Sequence, residues 1–165
     1  MTRPRTILVI EDGTEYTDAF RNLAASDAAA SVELVRATDL AEARRALVER
    51  AVDGVFLDVV FDRIAPEKLA GDWEGSIRRF GGDRRRAQRH LAENQGFYLL
   101  NGLAPLMPEG IPVVIAYDFS AEPERLAALR QTRERLAGIA DGTPISRVLE
   151  SLLAEVTNRP GEDRA

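Results

Sequence analysis

The sequence predicts an α/β protein built on one parallel sheet with helices on both faces. Short apolar runs alternate about five times with segments whose apolar residues recur at helical spacing, and this alternation is typical of such a sheet. Two runs, Ile7–Ile10 and Val55–Leu57, show no polar alternation, as expected of strands that are covered on both faces. The 165 residues suffice for one domain with a substantial core.

The first part of the chain gives a regular succession of elements. Helix one follows the first strand, and the pair Asp39 and Glu42 predicts a capping box at the start of helix two. The strand at 54–57 then ends at Asp58. The other predicted elements here are helix one at about 15–25, a small-residue connection at 26–31 and a half-covered strand at 32–36.

The last part of the chain continues the alternation. Thr143 and Pro144 predict the N-cap and the first position of the final helix. The apolar face of this helix lies at 145–156, and a frayed tail is predicted at 158–165. The elements predicted before it are a third main helix from Gly96 to before Pro105, a strand at 112–117, a helix that starts near Ser120 and Pro123, and a short fifth strand at 136–140.

The segment at 62–95 interrupts this pattern and is read as a helical insert. Gly81 and Gly82 break its helical spacing, and Asp83 predicts the cap of a helix that follows. Inserts of this length are uncommon in compact domains unless they have a function, so a lid or a docking surface is expected. Trp73 and Phe80 are expected to pack the insert onto the body of the protein; as the alternative, an exposed pair would mark a binding surface.

Charge and composition exclude several classes of protein. The net charge is −5; the insert carries eight basic and six acidic side chains, which leaves −7 on the remainder, and an acidic body argues against nucleic-acid binding. The arginines at 78–89 are read as a solvated helix face, with an anionic partner as the alternative. The chain has no cysteine, one histidine (His90) and no apolar run of membrane-spanning length. We therefore expect a cytoplasmic protein with no thiolate or multi-histidine metal site.

Acidic residues follow two of the predicted buried strands. Glu11 and Asp12 come after the first strand, and Asp58 comes after the central one. Functional crevices of open α/β sheets lie outside the carboxyl ends of the strands. If the two strands are neighbours, three carboxylates converge on one rim, where they repel one another unless a hard cation lies among them.

Four segments carry a resemblance to a known family. They are Ile7-Leu8-Val9-Ile10-Glu11-Asp12, Val55-Phe56-Leu57-Asp58, Gln95-Gly96-Phe97-Tyr98-Leu99-Leu100 and Ile111-Pro112-Val113-Val114-Ile115. In this order and with these gaps they resemble the receiver domain of two-component response regulators. The resemblance implies a flavodoxin-like, doubly wound, five-stranded parallel sheet of order 2-1-3-4-5. It implies a receiver-like domain at 6–157, with the insert inside it and a tail at 158–165.

The resemblance also implies a chemistry and a set of partners. Asp58 would be the phospho-acceptor, and Glu11, Asp12, Asp58 and the main-chain carbonyl of Val60 would bind Mg²⁺. The partners implied are a sensor histidine kinase or phosphotransfer protein and an unknown downstream protein, with no nucleic acid and no membrane, and a homodimer stays open. The expected activity is no more than self-phosphorylation and dephosphorylation at Asp58.

Two positions depart from the family pattern. Receivers usually have Thr or Ser where this chain has Tyr117, and a lysine followed by proline where it has at best Thr143 and Pro144. The only lysine is Lys68, in the insert; it or an insert arginine is a candidate substitute for the missing cation. The pocket thus keeps its metal-binding half and loses its usual switch residues.

Two functional hypotheses follow from this comparison. The first is a stand-alone atypical receiver that accepts a phosphoryl group at Asp58 with Mg²⁺ and signals by binding proteins. The alternative is a phosphorylation-independent pseudo-receiver that acts as a constitutive interaction module. An aspartate-nucleophile phosphatase is disfavoured because its nucleophile would end the first strand. A nucleotide-binding glycine loop is disfavoured because the segment 11–14 lacks the required glycine pattern.

Overall fold

The computed structural model describes residues 3–26 and 31–158. Two expectations lie largely outside these ranges: the small-residue connection at 26–31, of which 27–30 are not described, and the frayed tail, of which 159–165 are not described. Among the described residues, no helix is both long and apolar enough to cross a membrane.

Five parallel strands form one sheet in the order β2-β1-β3-β4-β5, which confirms the predicted fold class. The last two strands are shorter than predicted. The fourth ends where the chain turns after Ile115, whose carbonyl accepts the N–H of Tyr117 at 2.8 Å. The strands are β1 (Arg5–Ile10), β2 (Val32–Ala37), β3 (Gly54–Leu57), β4 (Val113–Ile115) and β5 (Leu136–Ala137).

Seven α-helices are described, and a short 3-10 turn (Pro66–Lys68) precedes α3. Asp39 and Asp83 are N-caps, as predicted: Asp39 accepts the N–H of Glu42, and Asp83 accepts two N–H groups of the first turn of the helix that follows it. The capping box at Asp39 is only half formed, because Glu42 accepts the N–H of Thr38 and not that of Asp39. The prediction for Thr143 is wrong, because Pro144 is the N-cap and no side chain caps that helix. The helices are α1 (Glu15–Ser26), α2 (Leu40–Glu49), α3 (Trp73–Arg79), α4 (Arg84–Glu93), α5 (Gln95–Leu103), α6 (Pro123–Arg130) and α7 (Ile145–Thr157).

The side chains of β3 alternate between two apolar layers. Val55 and Leu57 pack in the layer that includes residues of α5, whereas Phe56 packs with Phe20 of α1 and with residues of α7. The rings of Tyr16 and Phe20 lie 4.6 Å and 5.6 Å from that of Phe56. Successive strand residues point to opposite faces, so Asp58, two residues after Phe56, is expected on the side of α1.

The insert is a helical hairpin of α3 and α4 that is attached through its own buried residues. Leu69, Ala87 and Leu91 are buried. The ring of Phe80 lies instead against residues of the hairpin, 5.5 Å from that of His90, and is flanked by guanidinium groups of α3 and α4. The prediction that Phe80 packs the insert onto the body is therefore wrong, because its described contacts lie within the insert.

Gln95 joins the start of the insert to its end. This side chain is fully buried; its Oε1 accepts the N–H of Ala70 at 2.7 Å, and its Nε2 donates to the carbonyl of Ala70 at 2.9 Å and to that of Leu91 at 3.3 Å. The amide therefore satisfies both main-chain groups of Ala70, a residue that is itself partly buried.

We expect Gln95→Met to lower the free energy of unfolding by about 1–3 kcal/mol, because the partly buried main-chain groups of Ala70 lose their partners. Urea denaturation measures the change. Gln88→Met, on the exposed face of α4, is the matched control and should change stability by less than about 0.5 kcal/mol. Equal losses in the two variants would contradict this role for Gln95.

Candidate phosphoryl-acceptor site

Three acidic residues lie at the carboxyl edge of two adjacent strands, as the sequence predicts. Ile10 of β1 pairs with Leu57 of β3, and the N–H of Asp58 donates to the carbonyl of Ile10 at 2.9 Å. Glu11 and Asp12 follow directly after Ile10. The register of the sheet therefore sets Asp58 beside the acidic pair.

Glu11 is buried and caps the first turn of α1. Its Oε1 accepts the N–H and the hydroxyl of Thr17 at 2.8 Å and 2.6 Å, and its Oε2 accepts the N–H of Tyr16 at 3.0 Å. Both carboxylate oxygens are thus engaged by the helix. In this arrangement Glu11 contributes negative charge to the rim and fixes the direction of α1.

Asp12 connects the rim to the start of the insert. Its Oδ2 accepts the main-chain N–H of Arg63 at 2.6 Å. From the other side, Arg36 at the end of β2 donates to the carbonyl of Gly13 at 2.6 Å and to that of Asp12 at 3.3 Å. These contacts hold the loop after β1 in place on both sides.

Asp58 is partly buried, and its surroundings favour the protonated carboxyl. Burial, together with the charges of Asp12 and Glu11, raises its pKa from 3.8 to about 6, although the N–H groups of Val59 and Val60 oppose this shift. The Val59 N–H donates to Oδ1 at 2.7 Å and orients the carboxyl group. The Asp58 charge also contributes to raising the pKa of Tyr16, after the larger effect of burial.

The first turn of α5 closes the floor of the site. A side chain at Gly96 would collide with the carbonyl oxygen of Asp58 and with the backbone of Val59, and the N–H of Gly96 donates to the Val59 carbonyl at 3.0 Å. Only glycine permits this approach of helix to strand end. The Gly96 of the sequence motif therefore supports the backbone of Asp58.

The donor set fits Mg²⁺ through two carboxylates rather than three. Within the described ranges, no three acidic, histidine or cysteine side chains are arranged to hold a metal ion. Magnesium is usually bound through one or two protein carboxylates and keeps several waters. Asp12 and Asp58, whose charges repel each other, match that requirement. Glu11 already uses both oxygens within α1, and the structure does not test the expected role of Val60.

The two positions where receivers usually have their switch residues are Tyr117 and Thr143 in this chain. The ring of Tyr117 packs 5.1 Å from that of Phe97 and 4.9 Å from that of Phe119, and its hydroxyl donates to Glu122 at 3.1 Å. Thr143 is exposed in the turn before α7. Tyr117 is thus engaged by residues of α5 and of the segment that leads into α6.

The contact of Ile139 with Tyr117 was not predicted from the sequence. The N–H of Ile139 donates to the carbonyl of Tyr117 at 2.9 Å, and its side chain packs in the apolar layer that contains Phe56. The signal was present in the sequence: the predicted strand at 136–140 includes it. The residue after β5 that binds the main chain of Tyr117 is therefore apolar.

The insert supplies an arginine, and not Lys68, to the rim. Lys68 Nζ lies 3.0 Å from Asp39 Oδ2 at the start of α2, so the suggestion that Lys68 substitutes for the missing cation is not supported. The guanidinium of Arg63 pairs with Glu15 at 2.6 Å, and its main chain binds Asp12. Of the two kinds of candidate, the arginine is the one beside the acidic residues.

Asp58 should destabilise the folded protein above its pKa. The folded protein holds the Asp58 proton more tightly than the unfolded chain does, so stability falls as pH rises from about 4 through about 6. In metal-free buffer, Asp58→Asn should therefore gain stability over the wild type across that range and keep the gain at higher pH. A pKa difference of this size corresponds to about 3 kcal/mol, and solvent screening of the partly exposed carboxyl reduces the expected gain to about 1–2 kcal/mol.

Urea denaturation between pH 4 and 7.5 measures this gain, and Asp62→Asn, at an exposed aspartate of the same segment, is the control. Carbon NMR of the Asp58 carboxyl should give a midpoint near pH 6. A midpoint below pH 4 would contradict the burial argument.

Comparisons with known proteins support the fold. No protein-family model and no curated protein matches the chain. Three solved structures match with low sequence identity. The receiver domain of NtrX from Brucella abortus is 18% identical, and the match covers 92% of this chain and 98% of that one with a TM-score of 0.53. A CheY-like receiver domain protein from Methanospirillum hungatei is 14% identical over 93% of this chain and 94% of that one, with a TM-score of 0.55, and the beryllofluoride-activated NtrC receiver domain is 14% identical over 98% of this chain and 100% of that one, with a TM-score of 0.57. The resemblance of the sequence is therefore confirmed at the level of architecture, and the chain has the fold of a response-regulator receiver domain.

Proposed function

We propose that this chain is an atypical response-regulator receiver that accepts a phosphoryl group at Asp58 in the presence of Mg²⁺ and signals by binding other proteins. The observation that carries the proposal is the position of Asp58: it ends a central strand, beside Asp12 and Glu11, with a pKa raised to about 6. The phosphoryl donor would be a phosphohistidine of a sensor kinase or phosphotransfer protein.

Phosphoryl transfer to Asp58 needs an ionised carboxylate, a carboxyl group that is oriented for attack, and positive charge near the phosphoryl oxygens. An Asp58 carboxylate oxygen attacks the phosphorus; the new O–P bond forms as the N–P bond of the phosphohistidine breaks, and the electron pair leaves with the imidazole nitrogen. When bound, Mg²⁺ supplies positive charge that favours ionised Asp58 and stabilises charge on the phosphoryl oxygens. Asp12, Asp58 and the Val60 carbonyl would hold the ion. Glu11, which is bound to the first turn of α1, adds negative charge to the rim.

The Val59 N–H has a separate role in this proposal. It donates to Oδ1 of Asp58 at 2.7 Å and so helps to orient the carboxyl group. Pre-orientation of this kind lowers the entropic cost of reaching the transition state. The N–H of Gly96, which donates to the Val59 carbonyl at 3.0 Å, holds the same stretch of backbone.

The second candidate function is a phosphorylation-independent interaction module. The observation that favours it is the packing of Tyr117, whose ring lies between neighbouring aromatic rings and whose hydroxyl is bound to Glu122. A side chain engaged in this way lacks the freedom of a small hydroxyl residue to turn towards a phosphoryl group. On this alternative the fold presents one constant surface to its partner.

Beryllofluoride, a phosphoryl mimic, should bind the wild-type protein in the presence of Mg²⁺ and give a bound fluorine NMR signal. The signal should be lost without Mg²⁺ and in Asp58→Asn, because the mimic needs both the carboxylate and the cation. It should be retained in Asp62→Asn, whose side chain is exposed. Trp73, the only tryptophan, gives a second readout of any change in the insert.

Absence of bound fluoride at saturating Mg²⁺ would overturn the acceptor proposal and leave the constant interaction module. Binding that persists in Asp58→Asn would also overturn it, since the mimic would then be held elsewhere. Acetyl phosphate, followed by intact-mass measurement, tests covalent transfer by the same pair of variants.

A further inference from the structure

We infer that Arg63, the second residue of the insert, is the side chain that binds the phosphoryl group on Asp58. This inference rests on the proposed function and deepens it by naming the cation of the phosphoryl site. Arg63 would leave Glu15 and pair with the phosphoryl oxygens, so that phosphorylation changes a contact between the body and the insert.

The backbone places Arg63 at the rim. Its N–H donates to Asp12 Oδ2 at 2.6 Å. Asp12 lies two residues after Ile10, whose carbonyl accepts the N–H of Asp58 at 2.9 Å. The guanidinium lies over the loop after β1, where a side chain at Gly13 would collide with both Arg63 and Glu15. Arg63 thus extends across the same edge of the sheet that carries the acceptor.

The present contacts of the guanidinium are easily exchanged. It pairs with Glu15 at 2.6 Å and lies 3.9 Å from Asp62, and the side chains of Arg63 and Glu15 are 60% and 61% exposed. Ion pairs between exposed side chains contribute little to stability. A phosphoryl group with two negative charges, placed among carboxylates, would compete well for the same guanidinium.

Other basic side chains near the rim are already used. Arg36 donates to the carbonyls of Gly13 and Asp12, and Lys68 is paired with Asp39, whose side chain is only 7% exposed. On the side of β5, the residue that binds the Tyr117 carbonyl is the apolar Ile139. In the described part of the chain, Arg63 is therefore the rim cation whose partners are exposed and replaceable.

The chemistry of arginine suits this role. A guanidinium remains protonated throughout the physiological range, and its planar donors match two phosphoryl oxygens in a bidentate pair. Transfer of a phosphoryl group adds negative charge to a rim that already holds Glu11, Asp12 and Asp58. A mobile cation attached to the insert compensates that charge without a lysine after β5.

The test compares beryllofluoride binding, followed by fluorine NMR at saturating Mg²⁺, in three variants. Arg63→Gln should raise the half-saturating concentration about tenfold or more, since a charge-assisted pair is lost. Glu15→Gln should lower it about two- to fivefold, because the competing carboxylate is gone. Arg85→Gln, at an exposed arginine of α4, removes the same charge at a distant place and should leave it unchanged.

The opposite signs separate phosphoryl binding from a structural role. If the Arg63–Glu15 pair only stabilised the loop, both variants would weaken binding alike, and that outcome would overturn the inference. Equal binding by wild type and Arg63→Gln would also overturn it, while the acceptor role of Asp58 would stand. Absence of bound fluoride in the wild type would instead overturn the proposed function. Arg63→Lys keeps the charge and should recover part of the affinity, which guards against a folding defect in Arg63→Gln.

Discussion

The repulsion among carboxylates at one sheet edge is the constraint on which the site depends. Parallel pairing of β1 with β3 brings Asp58 beside Asp12 and Glu11, and burial makes each additional negative charge there more costly. The fold holds each carboxylate in a different way: the first turn of α1 binds Glu11, and the main-chain N–H of Arg63 binds Asp12. The charges of both add to the effect of burial in raising the pKa of Asp58. Asp58 is consequently the group that gains most from a cation.

The insert is structurally part of this edge and not an appendage. It starts directly after Phe61, and its second residue, Arg63, binds Asp12. It ends at Gln95, whose buried amide holds Ala70, one residue before Gly96 touches the backbone of Asp58. A change of charge at Asp58 therefore acts near both ends of the hairpin.

Much of the architecture was predictable because its signals are local. The alternating apolar runs predicted the order of strands and helices, and Asp39 and Asp83 predicted two helix starts. The apolar run at 55–57 predicted that Asp58 follows a buried strand. The positions of Arg63 and Lys68 were not predictable, because they depend on the path of an irregular segment over the surface. Thr143 was misread since Pro144 takes the cap position, and the surroundings of Tyr117 follow from tertiary packing with Phe97 and Phe119.

The missing hydroxyl and lysine do not by themselves remove a response to phosphorylation. A switch needs a group that interacts differently with the two charge states of the acceptor. Tyr117 is poorly suited to that task, because its ring and hydroxyl are engaged by Phe97, Phe119 and Glu122. Arg63 meets the requirement, because its exposed pair with Glu15 is weak and its charge is opposite to that of the phosphoryl group. In this protein the response would then pass to the α3–α4 hairpin through the start of the insert, and the region around Tyr117 would remain a fixed part of the surface.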